Sequence, residues 1–251
     1  MPTLPAASLV DVDGHAVECM RTGSGMPAVV LINGSGGPLA GWQRVFPGIA
    51  AQTTTLAYNR PGVGRSAPPA EAQTAAAMVA ALRRLLATLA LPPPYVLVGH
   101  SFGGLIANLF ARCHPAEVAG VLLLEATAPE DLTALKAHEN ALQRGLARLL
   151  NRLAPLHPHH ETRHAAQSAA ELAAAPPFPP LPLRVVTGMK PAMAWATRPA
   201  LLQARAAHQR ALAALSPLGR QVPAPRSGHF PQFSEPELVT AAVQALVDAA
   251  R

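Results

Sequence analysis

The stretch Val96-Leu97-Val98-Gly99-His100-Ser101-Phe102-Gly103-Gly104 constrains this chain more than any other. An apolar run delivers a serine between glycines, and Leu105-Ile106-Ala107-Asn108-Leu109-Phe110-Ala111 follows at helical period, so a buried strand must pass through a tight turn directly into a helix. A serine hydroxyl is a poor nucleophile. To act as one it has to be lifted out of the fold, where a base reaches it and backbone amides face the charge developing on a substrate oxygen. Gly99, Gly103 and Gly104 suit such a turn, because side chains two residues to either side of the serine would collide with the neighbouring strand or helix. The pattern predicts a nucleophile elbow at Ser101, against the plainer alternative of a Gly-Ser-Gly turn without chemistry.

The rest of the chain fits a strand-helix alternation. Residues 8–21 read as a hairpin, with Leu9, Val10 and Val12 facing Ala16, Val17 and Cys19 across the turn pair Asp13-Gly14. Strands are expected at Ala28–Ile32, Thr53–Tyr58, Tyr95–Val98, Val118–Glu125, Leu183–Thr187 and around Gln221-Val222. Helices are expected at 70–91, from the elbow to about Cys113, around Arg198 to Leu215, and from about Pro236. Strands that are apolar along their whole length predict a mostly parallel sheet covered on both faces, an α/β fold. From about Ala128 to Pro180 the composition shifts to Ala, Leu, Arg and His segments closing in Pro176-Pro177-Phe178-Pro179-Pro180, a rigid return. This predicts a helical cap at residues 128–180 inserted into one core formed by residues 1–127 and 181–251.

At 251 residues, half of them apolar, the chain suits one α/β domain with a modest insertion. A net charge of +6 would suggest a nucleic-acid or membrane partner if the basic residues clustered, but Arg21, Arg44, Arg112, Arg184, Arg220 and Arg251 are scattered, so neither is expected. Cys19 and Cys113 lie far apart without metal-ligand spacing and are expected to be reduced. The start, Met1-Pro2-Thr3-Leu4-Pro5, lacks the basic segment and apolar run of a signal peptide, and no apolar run is long enough to span a bilayer, so a cytoplasmic location is expected. No feature speaks to oligomeric state.

Four segments together resemble the α/β-hydrolase family over most of the chain outside the cap. They are Asn33-Gly34-Ser35-Gly36-Gly37 after a strand, Tyr58-Asn59-Arg60-Pro61-Gly62-Val63-Gly64-Arg65-Ser66, the elbow at Ser101, and Ser227-Gly228-His229-Phe230 before the terminal helix. Family members commonly have His-Gly where this chain has Asn33-Gly34, and Asp where it has Asn59; neither departure removes a reacting group. The resemblance implies the α/β-hydrolase fold, with Ser101 as nucleophile and His229 as general base. His229 is also the only histidine after the final expected strand, in a glycine-containing loop able to carry it over the strand ends. Oxyanion donors are then expected at the backbone amides of Phe102, next after the nucleophile, and Ser35, in the first glycine-rich loop. Gly34, Trp42, Phe102 and Trp195 are candidate pocket walls. The glycine-rich loop lacks both the Lys-Ser/Thr ending of a P-loop and the G-x-G-x-x-G spacing, so no nucleotide is expected.

The acid partner is constrained by absence. Many family members take it from the loop after the strand that is here Leu183–Thr187, yet from Leu172 to Ser234 there is no Asp or Glu, and Glu235 follows the histidine, which breaks the order Ser, acid, His. Glu125 ends the strand after the nucleophile helix, a segment similar to that of haloalkane dehalogenases and related hydrolases whose acid sits there. Glu125 is therefore the expected acid, to fix the His229 tautomer and stabilise its imidazolium. The alternatives are a strand-end carboxylate that caps a loop or pairs with an arginine, with Glu130 or Asp131 as substitute.

A second motif competes. His160-Glu161-Thr162-Arg163-His164 matches H-E-x-x-H, which on a helix puts two histidines one turn apart for zinc, and the surroundings permit a helix from about His159 to Ala174. A catalytic zinc needs a third protein ligand, and none is convincing downstream, so no metal and no cofactor are expected. The reading that best fits is a serine hydrolase of small to medium carboxylic esters acting through an acyl-enzyme on Ser101. A serine at the nucleophile position argues against haloalkane dehalogenation and epoxide hydrolysis, which use a carboxylate there in this family. The same triad serves thioesters, lactones, peracid formation and carbon-carbon bond cleavage. From other classes there remain a zinc hydrolase using His160 and His164, and a non-catalytic ligand-binding protein of the same fold.

Overall fold

The computed structural model describes residues 4–131, 157–190 and 199–251. Strands β1 (Ser8–Val12) and β2 (His15–Thr22) form the expected hairpin, with Asp13 and Gly14 at φ 53° and 81° and the Gly14 amide donating to Asp11 Oδ1 at 2.8 Å. Then come β3 (Ala28–Ile32), α1 (Phe46–Ala50), β4 (Thr55–Tyr58), α2 (Ala75–Thr88), β5 (Tyr95–His100), α3 (Gly103–Cys113) and β6 (Val118–Leu124). After β6 follow α4 (Ala165–Ala174), β7 (Leu183–Gly188), α5 (Pro199–Ala213), β8 (Gly219–Ala224), α6 (Pro231–Ser234) and α7 (Pro236–Asp248).

These strands form one sheet in the order β1-β2-β4-β3-β5-β6-β7-β8, parallel from β4 to β8 and antiparallel across β1, β2 and β4. Alternation along the central strands sends side chains to two cores. Val29 and Leu31 of β3 join Val96 and Val98 of β5 in a cluster with α1 and α7, while Val30, Ile32 and Leu97 join a cluster with α2 and α3 on the other face. Both faces are covered, as the continuous apolar strands require. The expected α/β-hydrolase fold is the observed one.

The chain leaves β3 for β4 on one side and returns to β5 on the other, so the loops after β3 and β5 diverge and open a crevice at the carboxyl ends of these two strands. The Asn33–Gly37 loop and the Ser101 elbow occupy those two positions.

Helix α2 starts later than expected, at Ala75, because Thr74 caps it by accepting from the Ala77 amide at 3.2 Å. Its other free amides are met from across the chain: Ala75 donates to Ser168 Oγ at 2.9 Å and Ala76 to Glu171 Oε2 at 2.8 Å, the carboxylate also facing the positive end of the helix dipole. This fixes α4 to the start of α2. The expected helix from His159 is corrected: Glu161–His164 is a 3-10 turn, and the α-helix begins only at Ala165.

Candidate active site

Ser101 sits at φ 51° between the end of β5 and α3, the left-handed geometry of a sharp elbow. The flanking glycines are required by close approach. A Cβ on Gly99 would lie 2.5 Å from the Gly103 carbonyl oxygen, and one on Gly103 would lie 2.3 Å from that of Ile32. The elbow is thus wedged between its own helix and the end of β3.

His229 Nε2 lies 3.0 Å from Ser101 Oγ. On the other side of the ring, Nδ1 faces Glu125 Oε2 at 3.5 Å. The three side chains assemble in the order Ser101, His229, Glu125, from the ends of β5 and β6 and the loop after β8. Glu125 is fully buried, its Oε1 accepts from the Gly188 amide at 2.5 Å, and its Oε2 also meets the Arg205 guanidinium. It too has a positive φ, 46°. Such backbone conformations cost a non-glycine residue on the order of 1–3 kcal/mol and persist where surrounding structure over-determines them.

The His229 loop is held by two partners, His100 and Glu235. His100 Nε2 donates to the His229 carbonyl at 2.9 Å, Ser227 Oγ donates to Glu235 Oε2 at 2.5 Å, and the Arg226 amide donates to the same oxygen at 2.9 Å. Burial pushes the His100 pKa down to about 4, so the ring is neutral with its proton on Nε2. Burial, with the Arg205 charge second, also lowers the pKa of His229. A neutral His229 is the form that can take a proton from serine.

The Ser35 and Phe102 amides have no hydrogen-bond partner among the described residues, and Phe102 stands at the N-terminal end of α3. Gly34 is buried against Ser101: a Cβ there would lie 3.1 Å from both Ser101 Cβ and His100 Nδ1. Asn33, where the family commonly has histidine, supports its loop by donating from Nδ2 to the Pro38 carbonyl at 2.7 Å. Asn59 donates to Glu18 Oε2 at 2.8 Å and accepts from the Leu39 amide at 2.9 Å.

Two expectations about pocket walls are corrected. Trp42 is fully buried in the core, edge-on to His100 with ring centroids 6.4 Å apart, because the 3-10 turn Leu39–Trp42 drives it beneath the sheet rather than into the crevice. The Phe102 side chain is likewise buried, among the α2 and α3 core residues. Trp195 lies outside the described residues. Of the substitute acids, Asp131 is engaged by His208 Nδ1 at 2.5 Å and by the Ala128 amide at 2.8 Å.

The H-E-x-x-H segment has a different use from the one its spacing suggested. In the 3-10 turn, His160 Nδ1 contacts Thr162 Oγ1 at 2.9 Å, His164 Nε2 lies 3.2 Å from the Pro158 carbonyl, and Glu161 turns inward to Arg60. No group of three or more His, Cys, Asp or Glu side chains placed to hold a metal ion occurs among the described residues. Nor is any described helix long and apolar enough to cross a membrane. Sequence reasoning missed four residues that shape the site: Arg60, His100, Glu161 and Arg205. Arg60, His100 and Glu161 stood inside motifs the sequence singled out, without a role assigned to them, whereas Arg205 carried no local signal.

A mostly parallel sheet with its crossover at β3, a strained serine at the next strand end and a histidine facing both it and a buried acid define an α/β protein with a serine elbow. The chain belongs to the α/β hydrolase fold family, whose model matches residues 27–200. It is 34% identical over 122 residues to fluoroacetate dehalogenase from a Burkholderia species, a match covering 47% of this chain and 40% of that protein. It is 30% identical over 115 residues to the uncharacterised YqjL of Bacillus subtilis, covering 45% and 46%. The matches thus span less than half the length of these curated relatives. Among solved structures, a thermophilic esterase from Thermogutta terrifontis superposes with a TM-score of 0.69 at 21% identity, covering 98% of this chain and all of that one. At that identity the likeness speaks for the fold alone.

Proposed function

We propose that this protein is a serine hydrolase that cleaves carboxylic esters of small to medium size through an acyl-enzyme on Ser101. The observation that carries the reading is the 3.0 Å approach of His229 Nε2 to Ser101 Oγ, with Nδ1 of the same ring turned to buried Glu125. In the proposed cycle His229 Nε2 takes the hydroxyl proton as Oγ adds to the ester carbon, and the resulting imidazolium is stabilised by Glu125. The Ser35 and Phe102 amides receive the oxyanion. Collapse expels the alcohol, which leaves with the proton from His229. Water, deprotonated by the same ring, then adds to the acyl carbon; the acyl–Oγ bond breaks, Ser101 Oγ takes the proton back from His229, and the acid is released. The 3.5 Å gap to Glu125 belongs to the substrate-free state and is expected to tighten as the ring becomes charged.

The cycle needs no cofactor. Residues 128–180 act in this reading as a cap on a core of residues 1–127 and 181–251, the address is cytoplasmic, and the substrate is a small molecule. A serine at the position where this family's dehalogenases use a carboxylate favours acyl transfer over the reaction named for the fluoroacetate dehalogenase relative. A fluorophosphonate probe on the folded protein, followed by peptide mapping, tests the nucleophile, and labelling anywhere but Ser101 overturns it. A panel of p-nitrophenyl esters with increasing acyl length, run beside thioesters and lactones, defines the substrate class.

A further inference from the structure

Arg60 and Glu161 lie 101 residues apart in sequence and form a buried ion pair at the edge of the site, with side chains 5% and 6% exposed. Four of the five guanidinium N–H groups are engaged. Its Nε donates to Glu161 Oε2 at 2.7 Å, one terminal nitrogen donates to the Asn33 carbonyl at 2.7 Å, and the other donates to the Gly34 carbonyl at 2.6 Å and Glu161 Oε1 at 2.9 Å. Glu161 Oε1 also accepts the Gly36 amide at 2.8 Å. The two side chains therefore clamp both ends of the segment containing Ser35.

In a trans peptide the C=O and the following N–H point in opposite directions. Anchoring the Gly34 carbonyl on Arg60 therefore aims the Ser35 N–H away from Arg60. Gly34 itself lies against Ser101, where a Cβ on it would fall 3.1 Å from Ser101 Cβ. The Gly36 bond to Glu161 keeps the next peptide from rotating back. We propose that Arg60 and Glu161 are positioning residues that set the Gly34–Ser35 peptide plane and so preorganise the Ser35 oxyanion donor, with Glu161 reaching in from the segment that precedes α4. This rests on the reading of Ser101 as an acyl-transfer nucleophile. It also explains why a buried charge pair stands here: a hydrophobic pair of similar volume fills the space as well but holds no carbonyl.

The test follows from that contrast. Glu161→Gln alone leaves the Arg60 charge buried without its counter-ion, which threatens folding, so the informative variant is the double replacement Arg60→Met with Glu161→Leu, which removes both charges together. For p-nitrophenyl acetate we expect kcat to fall roughly 10- to 100-fold with KM changed less than about threefold, since losing one oxyanion donor outright costs about 100- to 1,000-fold. Affinity for a trifluoromethyl ketone, whose adduct carries the oxyanion, is expected to drop by a similar factor. A crystal structure of the double variant reads the peptide directly: a rotated Gly34–Ser35 plane supports the proposal, and an unmoved plane overturns it whatever the activity. Wild-type kcat and ketone affinity in a folded double variant overturn it too. If the wild-type protein fails to label with a fluorophosphonate at Ser101, the nucleophile reading falls, while the peptide plane still reports on the clamp.

Discussion

Ser101 and Glu125 follow directly after a registered pair on adjacent parallel strands, His100 opposite Leu124, and both then turn into left-handed backbone, at φ 51° and 46°. The two turns are stitched together: the Ser101 amide donates to the Leu124 carbonyl at 3.1 Å and the Thr127 amide to the Ser101 carbonyl at 3.0 Å. Ser101 and Glu125 therefore leave the sheet side by side, and a loop from the far edge has only to lay one imidazole between them.

Replacing Ser101 with alanine removes the group proposed to attack. Ester turnover is expected to fall at least about 1,000-fold with the fold retained, and treatment with a chelator to leave the wild-type rate unchanged. Thermal melts and rates measured side by side check this. Chelator-sensitive turnover that survives Ser101→Ala would establish the zinc reading instead.

Glu125→Gln keeps the shape of the buried acid but withdraws the charge that holds the His229 tautomer. A loss of roughly 100- to 10,000-fold in kcat is expected, by the logic of an acid that orients its histidine. Steady-state kinetics on purified, folded variant decide it, and near-normal turnover would remove Glu125 from the mechanism.

The pH profile of kcat/KM should show an acid limb below the ordinary histidine value of 6.5, because His229 acts only when neutral and both burial and Arg205 hold its pKa down. Burial is the larger cause, so Arg205→Met is expected to move the limb upward by only part of the gap. An unmoved or lowered limb in that variant would show that the Arg205 charge does not reach the ring.

His100 should make the fold acid-sensitive. Its pKa is about 4 when folded against 6.5 unfolded, so between those values the unfolded chain binds more protons and stability falls as pH drops. The contribution, fully present above pH 6.5, is on the order of 3 kcal/mol and is lost progressively toward pH 4. Urea midpoints from pH 7.5 to 4.5 should fall less steeply for His100→Phe than for wild type. Parallel slopes would assign the acid sensitivity to other groups.

Gly103→Ala places a methyl group 2.3 Å from the Ile32 carbonyl oxygen and 2.5 Å from that of Asn33, both backbone atoms that cannot step aside. Destabilisation of about 1–3 kcal/mol is expected, together with displacement of the Asn33–Gly37 loop and slower turnover. Calorimetry against a Gly14→Ala control, where a Cβ meets nothing within 4 Å but φ is 81°, separates crowding from backbone strain.

By itself the sequence determined what depends on neighbours along the chain. Continuous apolar runs specify strands buried on both faces, Asp13-Gly14 specifies its hairpin turn, and the glycines around Ser101 allow only an elbow there. It also left the loop after Leu183–Thr187 without an acid, since no carboxylate lies between Leu172 and Ser234, while the choice of Glu125 over Glu130 or Asp131 came from the family resemblance. Tertiary structure decided everything that depends on which strand ends and loops meet. Trp42 goes into the core because of the turn that precedes α1, and the helix expected at His159 yields to a 3-10 turn as Glu161 swings inward to a buried arginine. Arg60, 101 residues from Glu161, has no local pattern that announces its partner. The pairing exists only because α4, fixed to the start of α2, brings the segment before it over the loop after β4, where a buried charge must find whatever counter-charge the fold supplies. The elbow, in the end, is a property of nine consecutive residues. The amide that would face its oxyanion is aimed by side chains brought from elsewhere in the fold.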